Sequence, residues 1–131
     1  MATKMFEVQQ KLFSALESSE GLKEKSNGIY DYVPEKTQTP YITFGETISD
    51  SRDTKTTDGE TIRSTIDVWS ESRGRKQAVD IIIEIEKALE KEISIETGEI
   101  IIQRIVQRSV DEVQYGLYQG TIEIEIVLSW S

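Results

Sequence analysis

The chain has 131 residues, 37% apolar and 30% charged, enough for one domain with one hydrophobic core and too rich in Ile, Val and Leu for a disordered chain. Its 15 basic and 24 acidic residues leave a formal charge of −9, which disfavours non-specific attraction to nucleic-acid phosphates or anionic membrane surfaces. Histidine and cysteine are absent, which excludes Ser-His-Asp and Cys-His nucleophile systems, His-bearing zinc sites, thiol chemistry and disulfides.

The first residues mix polar and apolar side chains, so neither a signal peptide nor an anchor is expected, and apolar runs such as 81–83 are far too short to span a bilayer. A soluble protein folding inside a cell is the expectation. Met5, Val8, Leu12 and Leu16, flanked by Phe6 and Phe13, recur at spacings of three and four and predict a first amphipathic helix, with Gly21 as its stop. Residues 26–40 carry Gly28, Pro34 and Pro40 and read as a connection that packs locally through Ile29, Tyr30 and Tyr32.

Residues 41–47 are aromatic and β-branched, and 61–70 place Ile62, Ile66 and Val68 on one face, so both predict strands. Between them Ser49, Asp50, Ser51, Arg52, Asp53, Thr54, Lys55, Thr56, Thr57, Asp58 and Gly59 are turn formers. They predict a long flexible hairpin loop at about 46–60, standing in solvent unless a partner covers it. The acids Asp50, Asp53, Asp58 and Glu60 suggest calcium, but Arg52 and Lys55 fall where an EF-hand loop needs oxygen ligands, so a solvated loop without metal is preferred.

Ala78, Ile81, Ile82, Ile85, Ala88 and Leu89 follow the helical period and predict a second helix capped by Ser70 or Ser72. Arg73, Arg75 and Lys76 at its start oppose the helix dipole and hint at an acidic partner. Residues 93–95 and 100–102 bracket a turn at Thr97 and Gly98, and a long strand follows through Ile105 and Val106. From 118 to 130, Tyr118, Ile122, Ile124, Ile126, Leu128 and Trp130 alternate with polar residues, predicting a one-sided antiparallel strand joined to its predecessor by a turn at 114–116.

Glu123 and Glu125 are spaced like a carboxylate pair, but with no aromatic sugar platform a polar sheet face explains them better. No Gly-rich phosphate loop follows a strand. Trp69 and Trp130 end alternating runs and are expected to cap the apolar layer. The fold expected is one α+β domain over 1–131, a mostly antiparallel sheet with two helices packed on one face, in the order helix, hairpin, helix, hairpin.

Gly28-Ile29-Tyr30-Asp31-Tyr32-Val33-Pro34, Pro40-Tyr41-Ile42-Thr43-Phe44-Gly45-Glu46, Lys55-Thr56-Thr57-Asp58-Gly59-Glu60, Asp67-Val68-Trp69-Ser70 and Gly74-Arg75-Lys76 occur in this order. In this the chain resembles the tail-completion, or tail-terminator, proteins of long-tailed bacteriophages and prophages, over most of its length. The resemblance implies a virion assembly subunit without catalysis or cofactor. It would form a ring, commonly a hexamer, at the head-proximal end of the tail tube, terminating tube growth and joining the tail to the head connector or stopper protein. DNA would pass through without being specifically bound, no membrane would be involved, and the protein would pass from the host cytoplasm into the virion tail.

In that role Ser49, Asp50, Arg52, Asp53, Lys55, Asp58 and Glu60 are expected to form the main docking element, with Arg73, Arg75 and Lys76 as a further interface. One competing expectation is a small non-catalytic adaptor or ligand-binding module that uses the sheet face, with a well-formed apolar pocket and a stable monomer. Another is an enzyme working with carboxylates alone, which requires a cluster of buried acids.

Overall fold

The structure is a computed structural model that describes residues 2–130. Helix α1 (Met5–Glu17) buries Val8, Leu12 and Leu16, the stripe that its spacing predicts. Gly21 does not terminate it. The chain turns at Ser18, and Ser19 takes an extended conformation whose hydroxyl accepts from Leu22 N, capping a short helix α2 (Glu20–Lys25) that contains Gly21. A Cβ on Gly21 would meet only the carboxylate end of Glu84, a flexible side chain able to swing aside.

Five strands follow the helical pair, interrupted by one more helix: β1 (Ile29–Tyr30), β2 (Tyr41–Ser51), β3 (Asp58–Ser70), α3 (Lys76–Ala88), β4 (Glu99–Gln114) and β5 (Leu117–Trp130). The sheet order is β1-β2-β3-β5-β4, with β1 parallel to β2 and every other pairing antiparallel. The protein is therefore α+β with a mixed five-stranded sheet and three helices, against an expected two helices.

Alternation along the two central strands decides which face is covered. Ile62, Ile66 and Val68 of β3 and Ile122, Ile124, Ile126 and Leu128 of β5 are fully buried in one cluster with Leu12, Leu16, Ile81 and Ile85 of the helices. Gly120 lets α3 approach β5 closely, since an added Cβ would lie 3.1 Å from Ile82 Cδ1. Neither Ser70 nor Ser72 caps α3: its N-cap is Arg75, without a side-chain bond. The Ser70 hydroxyl instead accepts from Ser72 N and donates to Gln77 Oε1 at 2.6 Å, bracing the turn before the helix.

The expected long loop at about 46–60 is also corrected. Ser49, Asp50 and Ser51 pair in register with Ile62, Thr61 and Glu60, so the connection is only residues 52–57. Within it Thr54 N donates to Thr57 O at 2.8 Å, and Thr54 Oγ1 accepts from Thr57 N at 3.0 Å. Serine and threonine are tolerated in strands, and here the Ser49 hydroxyl bonds across the hairpin to Glu60.

Candidate assembly surface

Among the described residues no helix covers the second face of the sheet, which is polar. Asp67 of β3 accepts from Thr121 Oγ1 at 3.0 Å and Gln119 Nε2 at 3.2 Å, both on the neighbouring β5. Trp69 belongs to this face: its Nε1 donates to Thr43 Oγ1 at 3.0 Å, so it does not cap the core as expected. The cause is parity, since Trp69 is one residue out of step with Ile66 and Val68. Trp130 does pack against the core, with the Lys4 ammonium 5.0 Å above its ring.

Glu125 holds the middle of the open face. It accepts from Arg63 Nε at 3.1 Å and from Arg104 Nε at 2.9 Å, so one carboxylate ties β3, β5 and β4 together. Its side chain is 7% exposed while the two arginines are 51% and 62% exposed, an asymmetry that leaves both guanidinium ends facing outward. Burial pushes the Glu125 pKa up, but the hydrogen bonds and charges of Arg104 and Arg63 outweigh it and hold the group below the ordinary carboxylate value of 4.5.

A carboxyl with a depressed folded-state pKa adds stability above its unfolded pKa and loses it as pH falls through the folded one. Glu125→Gln is therefore expected to destabilise the protein at neutral pH, with the difference from wild type shrinking as the pH drops below 4.5. Urea midpoints measured across that range check this. A difference that does not change with pH would contradict it.

The expected site residues separate into two groups at opposite ends of the sheet. Arg52, Asp53 and Lys55 lie in the β2–β3 connection, with Asp53 Oδ1 accepting from Gly59 N at 3.2 Å. Asp50 and Asp58 are strand residues. Glu60 is buried at 3% exposure and accepts from the hydroxyls of Thr3 and Ser49 and, at 2.9 Å, from Lys4 N. Arg73, Arg75 and Lys76 stand at the far end of β3, where Lys76 pairs with Asp80 at 2.7 Å and Arg75 lies 5.6 Å over the Tyr118 ring.

One feature of the surface escaped sequence reasoning, the Arg63–Glu125–Arg104 clamp, whose members the register brings together. Long strands with polar loops are expected to leave free edges, and the structure shows which they are: β1 covers only Ile42 and Thr43 of β2, and the outer side of the 16-residue β4 has no partner strand among the described residues. Register shifts at Ile100/Ile102, Ile105/Gln107 and Glu112/Gln114 kink β4, the kind of irregularity that blunts open-ended pairing. Ile101, Ile102, Val106 and Val113 nonetheless remain exposed on it.

No group of three or more Asp or Glu side chains is placed to hold a metal ion, and no helix is long and apolar enough to cross a membrane, among the described residues. Residues 10–129 match the sequence profile of the family described as tail completion protein gp17. The chain belongs to this family. Its role is accordingly structural, in completing a virion tail.

Among the solved structures similar to it, two are informative. One is the bacteriophage SPP1 gp17 protein, 25% identical, with a TM-score of 0.65, 93% of this chain covered and 88% of that one. The other is a chain in the virion of a native gene transfer agent particle. It is 13% identical with a TM-score of 0.87 over 98% of this chain and 99% of that one, and at that identity it shows the fold alone. No curated protein matches the sequence.

Proposed function

We propose that this family member acts as a ring, most simply a hexamer, at the head-proximal end of the tail tube, where it stops tube growth and presents a surface to the head connector or stopper. The observation that carries this is the polar, helix-free sheet face bounded by two unpaired edges, in a chain of the tail-completion family. A free edge and an uncovered face are surfaces that a neighbouring subunit can occupy, and a head-to-tail contact that closes gives a ring. The net charge of −9 per chain suits a conduit that must let DNA pass without holding it. Assembly within the host cytoplasm follows from the same role.

The test is polymerisation of purified tail tube protein with and without this chain. Tubes of limited length, each blocked at one end, are expected with it, and elongation that continues unaltered would refute the role. The tip of the β2–β3 connection is the proposed contact with the tube. Lys55→Glu, at an exposed position, is expected to weaken tube blocking by about tenfold, as loss of a complementary interfacial charge does. Its fold and subunit number should stay unchanged, and undiminished blocking would remove the tip from the contact.

A further inference from the structure

The open sheet face is not uniformly polar. At the end of the sheet near the β2–β3 connection lies a concavity of about 740 Å³ lined by Arg52, Arg63, Arg104, Ile101 and Ile102, with Glu125 at its base. Glu125 engages Arg63 and Arg104 only through their Nε atoms, which fixes both side chains and leaves their terminal nitrogens free to bind an oxyanion. The Thr61 hydroxyl in the same wall is buried without a hydrogen-bond partner. Cationic groups set beside exposed isoleucines fit a partner that is acidic and apolar at once. Asp50 also lines the concavity, and the three guanidiniums outnumber the two carboxylates of Asp50 and Glu125 there.

Such a segment exists on this chain at the other end of the sheet. The tight turn between β4 and β5 projects Tyr115, fully exposed, with Val113 exposed behind it and Asp111 and Glu112 beside it. Gly116, at φ 78°, closes the turn, and Glu112 Oε2 accepts from its N–H at 2.9 Å, so the tip is held in shape before it meets anything. At about 3.3 Å per residue, Ile102 and Val113 lie roughly 35 Å apart along β4, so a chain cannot place its own tip in its own concavity.

The geometry points to a knob-and-socket contact between two copies of this chain, in which the β4–β5 tip of one subunit enters the Arg52–Arg63–Arg104 concavity of the next. Asp111 and Glu112 face the arginines, and Tyr115 and Val113 pack on Ile101 and Ile102. The two patches are different surfaces at opposite ends of the sheet, so an unreciprocated contact between them is heterologous, and it makes a ring when the rotation from subunit to subunit closes. This rests on the ring proposed above and assigns its interface.

The chain has no cysteine, so Ile102→Cys and Tyr115→Cys together introduce the only two thiols, both at exposed positions. Mild oxidation of the assembled protein, free or on tail tubes, is expected to give a ladder of covalent multimers ending at the subunit number of the ring. Each single variant brings no second thiol to the contact and should stay uncross-linked. A ring of normal mass whose thiols do not cross-link would overturn this contact and leave the ring standing. A monomer at every concentration and on tail tubes would remove both. Tyr115→Lys supplies the second readout: at least a tenfold loss of oligomer is expected with unchanged secondary structure, and unaltered assembly counts against the contact.

Discussion

Ile124→Ala is expected to lower the unfolding free energy by about 2–5 kcal/mol, the cost of deleting a buried branched side chain and leaving the space unfilled. Ile124 is fully buried in the middle of β5, the strand flanked on both sides within the sheet, with Ser64 and Ile105 as cross-strand neighbours. Backbone on both sides and helices above give the site little freedom to collapse. Urea unfolding followed by tryptophan emission measures it, because Trp69 on the open face and Trp130 beside the core report from opposite faces. Val106→Ala, at an exposed position of β4 outside the proposed contact, is the control and should lie within about 0.5 kcal/mol of wild type. Comparable losses in the two variants would mean that the sheet is not covered on the side described.

Glu60→Ala is expected to cost about 1–3 kcal/mol, through donors left without an acceptor. The Glu60 carboxylate takes hydrogen bonds from Thr3, Ser49 and Lys4 N, drawing the N-terminal residues down onto the β2–β3 hairpin. A carboxylate has room for three donors, and alanine leaves the part-buried Lys4 N–H and Ser49 hydroxyl without this acceptor, while the exposed Thr3 hydroxyl turns to water. Glu60→Gln should cost less, because its amide oxygen still accepts. The variant should also expose residues 2–4 to proteolysis faster than wild type, whereas Ile124→Ala should not do so selectively. Equal cleavage rates with unchanged stability would show that the N-terminal tether contributes nothing.

Both effects arise where sequence reading was uneven. The period-two run from Tyr118 to Trp130 and the 3.6-residue stripe of α3 announce themselves, because each depends on neighbours in the chain. The insertion of β5 between β3 and β4 does not, since it depends on pairing between distant segments. Residues 46–60 look like a loop by composition, yet strand pairing and the Glu60 acceptor organise most of them. Turn-forming residues say that a chain is able to turn, and the register says where it does. Ser19 as the cap of α2 was legible only as a serine before a glutamate.

The assembly surface was less legible still. Glu125 reads correctly as part of a polar face, but its partners are 62 and 21 residues away, and nothing local marks Arg63 or Arg104 as its clamps. Trp69 stands out of step with Val68 in the sequence itself, but a large aromatic at a strand end suggests the core more strongly than its parity excludes it. The apolar residues of β4 look like those of any long strand, since their exposure is fixed by which strand lies at the edge. The features that suit this protein to assembly are thus those that fold topology alone creates.

The most direct measurement is the solution mass of the purified chain by light scattering over a concentration series, repeated with purified tail tubes. The predicted result is a closed oligomer near six times the 14.9 kDa chain, or a monomer that collects into such a ring on tube ends. A strict monomer that ignores the tubes would contradict the account and return the open sheet face to the status of a ligand-binding surface.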